Sequence, residues 1–164
     1  MAYYLSNERN RDVVEAYRRY HQDLREPESE FPPGAFALDT SEWCQNASDH
    51  RCPHDARLDH FVISETTDAE GKRCTNIRIR LLGAYHDGHV EFFYPQVIAS
   101  VLENAACARG LGDWLCDEFR ISPNGHLVHE IEWAGFPNAR GSRWIIEASD
   151  VEFTWIQQPI STAD

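Results

Sequence analysis

Lysine is absent from residues 83–164, and bases of any kind are scarce there: 12 acids stand against 4 arginines, a net of −8. The first 82 residues are milder, with 15 acids and 11 bases, and the whole chain carries −12. Such a surplus repels phosphate backbones and anionic headgroups, so neither nucleic acid nor a membrane surface is an expected partner. It favours a basic partner or a cation. Long apolar runs are missing as well, and no stretch approaches the roughly 20 residues a membrane-crossing helix needs. The polar start, Met1 to Asn10, has no apolar run followed by a cleavage site, so no secretory leader is expected. The cysteines, Cys44, Cys52, Cys74, Cys107 and Cys116, are odd in number. Without a leader they read as free thiols in a reducing cytoplasm. Internal repeats and low-complexity tracts are also lacking.

What is there is apolar and aromatic. Hydrophobic residues make up 42% of the 164 and aromatics 12%, too much for a disordered chain and enough for a core without staples. Residues 1–164 read as a single domain, frayed from about 159. Val13, Tyr17, Tyr20 and Leu24 recur at helical spacing, so residues 7–25 are predicted to be a helix, with Asn7 as its N-cap, Glu8 in its first turn and Pro27 at its end. Pro32-Pro33-Gly34 is expected to break any regular element. Residues 35–60 look least regular, a loop with one short helical turn, followed by a strand at 59–65.

From residue 75 the period becomes two. Ile77, Ile79 and Leu81 alternate with Arg78 and Arg80. Asp68 to Gly71, His86 to His89 and Pro123-Asn124-Gly125 supply turns. Val90 to Leu102 reads as one long strand-rich run, in which Pro95 implies an edge or a bulge. Strands follow at 117–122, 126–133, 144–147 and 151–156. The predicted class is α+β: an N-terminal helix packed on a mainly antiparallel sheet, with a β-rich second half.

Several groups of side chains invite a chemical reading. Cys44, His50, Cys52 and His54 are zinc-type ligands, but their single-residue gaps do not match a zinc knuckle, and no metal or other cofactor is expected. His86, Asp87 and His89 offer a base and an orienting carboxylate, although Asp-Gly is already turn chemistry. Cys107 and Cys116 lack a basic activator, so neither reads as a nucleophile. His129-Glu130-Ile131-Glu132-Trp133 has Trp133 where a zinc-protease helix needs its second histidine, and the segment alternates like a strand.

Carboxylates recur along the second half. Glu130 and Glu132 share one face of their strand with Val128, and Glu152 lies opposite Phe153 and Trp155 on the last strand. Alternation alone predicts that all three acids are exposed. Asp117, Glu118, Glu147 and Asp150 fall at neighbouring strand ends or edges. Together with Trp133 these are the expected partner-binding residues, and Trp114, Trp144 and Trp155 are further candidate anchors.

The stretches Asp117-Glu118-Phe119-Arg120, His129 to Trp133 and Trp144 to Trp155 resemble in style the cytoplasmic immunity proteins of bacterial polymorphic-toxin systems. The resemblance covers roughly the last third of the chain and brings no catalytic motif. It implies a non-catalytic binding protein that neutralises a cognate toxin, a basic protein. The alternative from the residues is a metal-dependent enzyme or zinc binder built on the loop at 44–60.

Overall fold

The computed structural model describes residues 11–25, 30–104, 110–135 and 141–159. Helices α1 (Val13–Arg25) and α2 (Pro33–Asp39) precede eight strands. These are β1 (Arg57–Thr67), β2 (Arg73–Leu82), β3 (Gly88–Tyr94), β4 (Ala99–Glu103), β5 (Trp114–Ile121), β6 (Leu127–Trp133), β7 (Arg143–Ala148) and β8 (Glu152–Gln157). The class is α+β and β-rich, as expected, but the strands form two antiparallel sheets. One has the order β1-β2-β3-β8 and the other β4-β7-β6-β5.

The period-two pattern decides which faces meet. Ile77, Ile79 and Leu81 on β2, and Val90, Phe92 and Tyr94 on β3, are all buried. From the other sheet Phe119, Leu127, Ile131, Trp133, Trp144 and Ile146 join the same core. Aromatic contacts stitch the two inner faces together: Phe92 stacks on Trp114 at 5.2 Å, and Phe61 meets Trp144 edge-on at 5.0 Å. Burying each such side chain is worth roughly 1.5–3 kcal/mol, so this interleaved face is the main source of stability.

The long run from Val90 to Leu102 is not one strand. β3 stops at Tyr94, and Pro95 marks the place where the chain changes sheets. The Val97 N–H bonds Thr75 O on β2 at 2.7 Å, and the next N–H, of Ile98, bonds Glu147 O on β7 at 2.7 Å. The second crossing, from β7 to β8, runs beside it and is tied to it where Ser149 Oγ donates to Pro95 O at 3.0 Å. Strands 144–147 and 151–156 are therefore consecutive without being a hairpin.

α1 covers the core with Ala16, Tyr20 and Leu24. Asn7, Glu8 and Pro27, and the tail beyond 159, lie outside the described residues. α2 corrects the expectation that Pro32-Pro33-Gly34 must break structure. Proline is compatible with the first helical position, where its missing N–H would have no intrahelical partner. The free amides of Gly34 and Ala35 are capped from across the molecule by Asp150, at 3.1 and 3.0 Å. Glycine is required at 34: a Cβ there would stand 2.1 Å from Val151 O.

Gly34→Ala is expected to cost roughly 2 kcal/mol or more by overpacking, and Asp150→Ala about 1 kcal/mol by loss of the cap. Urea denaturation measures both; a Gly34→Ala midpoint equal to that of the wild type would contradict the packing described.

Candidate functional site

His129 lies wholly buried between the sheets. It cannot stay there with an unpaired ring nitrogen without a desolvation cost of about 1–3 kcal/mol. Its Nε2 faces Asp117 Oδ2 at 2.9 Å, and its Nδ1 faces the Tyr94 hydroxyl at 2.7 Å. A carboxylate only accepts, so Nε2–H donates to Asp117, and in the neutral ring Nδ1 is then the acceptor of the Tyr94 O–H. The other Asp117 oxygen accepts the Trp114 indole N–H at 2.9 Å. A polar line thus crosses the core from β3 through β6 to β5.

The Asp117 end of this line opens on a cavity of about 360 Å³ between α1, the 44–54 loop and β5. Its walls are mostly apolar or aromatic, with Val13, Tyr17, Trp114 and Leu115 among them. Asp39, the last residue of α2, lines both this cavity and a neighbouring recess on the far side of α2's end. Only 3% of Asp39 is exposed, and its Oδ2 has no hydrogen-bond partner. His21 Nδ1 stands 3.8 Å from that oxygen, too far for a hydrogen bond. The Tyr20 hydroxyl accepts the Phe119 N–H at 2.7 Å and donates in turn to the Asp39 carboxyl.

Burial pushes the Asp39 carboxyl up to about 8; the charge of Asp117, and then Glu118, adds to the rise, while the Tyr20 hydroxyl opposes it. Burial also lifts the Cys44 thiol well above its ordinary range, with Asp117 and Asp39 adding to it, and raises the Cys52 thiol. Thiolates are the reactive form, so neither cysteine is poised as a nucleophile. Perturbed groups lining a mostly apolar cavity single it out as the candidate functional site.

The zinc-type residues of the loop do not converge. Cys52 Sγ donates to Cys44 O at 3.0 Å. His50 points to the surface, stacked on Tyr85 and 2.5 Å from Asp87. His54 sits beside Asp55. Among the described residues no group of three or more His, Cys, Asp or Glu side chains is placed to hold a metal ion. Asp87 thus serves His50, while His89 faces Asp59 at 3.3 Å. Cys107 lies outside the described residues, and Cys44, Cys52, Cys74 and Cys116 are free thiols.

The expected partner-binding residues are dispersed. Asp117 points inward, to the polar line and the cavity. Glu118, Glu130, Glu132 and Glu147 lie on the outer face of the β4-β7-β6-β5 sheet, as their register requires. Glu130 is not exposed there, as alternation alone had predicted: it is 3% accessible and clamped between Arg120, at 3.0 Å, and Arg143. Glu118 is buried 3.6 Å from the same Arg120. Glu132 accepts from Cys116 Sγ, and Glu147 meets His126 at 3.1 Å. Trp133 is core, as are Trp114 and Trp144, while Trp155 is half-buried. Asp150 caps α2, and Glu152, on the other sheet, is exposed. Asp39 was missed because a lone acid in Ala-Leu-Asp-Thr carries no local signal; its state comes from what packs on it.

No family model matches the chain, and no curated protein or solved structure matches it.

An unfolded aspartic acid loses its proton near pH 3.9, whereas folded Asp39 holds it up to about pH 8. Between those values the folded state binds more protons, so the Asp39 contribution to stability declines as pH rises from about 4 to about 8. Asp39→Asn removes this decline. Relative to the wild type it is expected to gain more at pH 8 than at pH 5, by up to several kcal/mol at about 1.4 kcal/mol per unit. Thermal melts at both pH values check this; an equal offset at the two would contradict it.

Proposed function

We propose that this chain is a non-catalytic protein-binding domain that engages a basic partner, in the manner of a cytoplasmic immunity protein bound to its toxin. The observation that carries the reading is how the protein uses its few bases. Arg18 and Arg19 pair with Glu15, Arg51 with Asp49, Arg73 with Glu65, Arg78 with Glu91, and Arg120 and Arg143 with Glu130. With these arginines held against acids of the same chain, the outward field takes the sign of the net charge of −12. Exposed Asp55 and Asp113 adjoin the cavity residues His54 and Trp114, and the Asp55 N–H bonds Trp114 O at 2.9 Å, which brings both acids to the cavity rim.

Such a field raises the rate of encounter with a positive surface, while buried anchors hold the complex. Two observations weigh against the enzyme alternative: the buried thiols are held protonated, and the loop's Cys and His side chains point apart. No described helix is long and apolar enough to cross a membrane.

Where a neighbouring gene encodes a basic toxin candidate, its co-expression with this chain is expected to yield a stable complex and protect the cell. The association rate should fall about tenfold or more as salt rises well above physiological strength, where the Debye length is already only about 8 Å. Glu152→Lys and Asp113→Lys together should slow association without altering the melting temperature. No protection and no complex would overturn the reading.

A further inference from the structure

We infer that the free edge of β1 is a self-association surface. Two copies of this chain pair β1 against β1, antiparallel, about a twofold axis at Val62, and so join their β1-β2-β3-β8 sheets into one.

β1 ends its sheet and has β2 as its one strand neighbour there. The turn between them decides which backbone groups of β1 are left over. The Asp68 N–H bonds Lys72 O at 2.9 Å, so 68 and 72 form a hydrogen-bonded pair. Along an antiparallel ladder such pairs alternate with non-bonded ones. Counting back through the register, Thr66, Ser64, Val62 and His60 turn their N–H and C=O groups to β2, while Thr67, Glu65, Ile63 and Phe61 turn theirs to the open side. The bond from Val97 N–H to Thr75 O agrees, because Thr75 stands opposite Glu65 and also faces away from the β1-β2 seam. A row of unpaired edge groups is a template for another strand.

The other edges are guarded. β4 and β8 have only 5 and 6 residues. On β5 the Phe119 N–H is taken by the Tyr20 hydroxyl of α1. β1 has 11 residues; Arg57 bridges Asp113, and the register slips at Asp59. Beyond that slip, His60 to Thr67 carries no proline or lysine and is exposed except at Phe61. Val62 and Ile63 are 47% and 54% exposed although they point to opposite faces, so both sides of the strand leave apolar surface in water.

Charge selects the occupant. Between Arg57 and Leu82 stand four acids and five bases, in a chain whose net charge is −12. Two copies meet at this ribbon without the repulsion that opposes contact elsewhere, and a basic partner gains little from it. The acids of β1 are matched within the chain: Asp59 with His60 at 2.9 Å and His89 at 3.3 Å, and Glu65 with Arg73. Symmetry then restricts the register. Identical antiparallel strands are related by an axis normal to the sheet, so facing residues lie on the same side. Centred on Val62, the pairing sets Val62 against the second copy's Val62 on the outer side. On the inner side it sets Phe61 against the second copy's Ile63, twice. The exposed apolar side chains of the edge all meet one another, and Phe61 and Ile63 fall in hydrogen-bonded pairs, as their outward groups require.

Sedimentation velocity of the intact protein tests this. A monomer–dimer equilibrium is expected between about 1 µM and about 1 mM, the range a small interface reaches. Added salt should not weaken it, since salt screens the mutual repulsion of the two chains. Amide exchange at Phe61 and Ile63 should slow as concentration rises, while that at Val62 and Ser64, already bonded to β2, should not change. Ile63→Lys and Ile63→Pro should each weaken the dimer by about tenfold or more; the proline removes only an outward N–H, so the β2 ladder is kept. Facing residues of a non-bonded pair have Cα atoms about 4.5 Å apart, within disulfide reach. Mild oxidation should therefore link Val62→Cys into a covalent dimer and leave Ser64→Cys, which faces His60, largely unlinked. A protein that stays monomeric throughout, a dimer indifferent to both Ile63 variants, or linkage of Ser64→Cys in preference to Val62→Cys overturns the inference. Phe61 and Ile63 amides protected equally at every concentration also overturn it, since the edge is then covered within one chain. None of these outcomes bears on the partner reading, which rests on the acids elsewhere.

Discussion

A histidine enclosed between two sheets can be tolerated only if both ring nitrogens are satisfied, and His129 meets that condition by drawing one partner from each sheet. Tyr94 reaches it from β3 and Asp117 from β5. The Tyr94 bond ties one sheet to the other more specifically than apolar contact does, because a one-residue shift between the sheets would orphan Nδ1, while the Asp117 bond, within the β4-β7-β6-β5 sheet, fixes the ring. They also bring a carboxylate to the inner rim of the sheet, where Trp114 completes its bonding. The stacking of Phe92 on Trp114 and the tilted contact of Phe119 with His129 then follow from the placement of those same residues.

The cavity inherits its electrostatics from that arrangement. Asp117 is held facing Asp39, and together with burial it keeps the Asp39 proton on at neutral pH. The thiols of Cys44 and Cys52 are silenced by the same low-dielectric setting. One buried bonding requirement in the core therefore leaves Asp39 and Asp117 together on the wall of a mostly apolar cavity.

On the outer face of the β4-β7-β6-β5 sheet, acids recur as the alternation of β6 and β7 indicates, but the buried ones, Glu118 and Glu130, are paired locally with Arg120 and Arg143. Glu130 lies between Arg120 and Arg143, a buried pairing whose separate breakage costs far more than its net worth. The negative field comes from the acids beyond that pairing, including exposed Asp55, Asp113 and Glu152.

The strands, the turns at Asp68 to Gly71 and Pro123 to Gly125, the α+β class and the excess of acid were all legible in the sequence. Each depends on spacing within about ten residues or on a simple sum of charges. The sequence by itself also marked Pro95 as an interruption, but only the packing made it a crossing between sheets. Tertiary structure alone decided that Glu130 and Trp133 are interior, that Asp150 caps a helix more than a hundred positions away, and that Pro33 opens that helix. It likewise decided that Asp39 keeps an unpartnered oxygen. The physical reason is common to all of these. Burial, pairing and protonation are set by neighbours brought from distant parts of the chain, and the field at a side chain is a property of everything packed around it, not of the residues beside it in sequence.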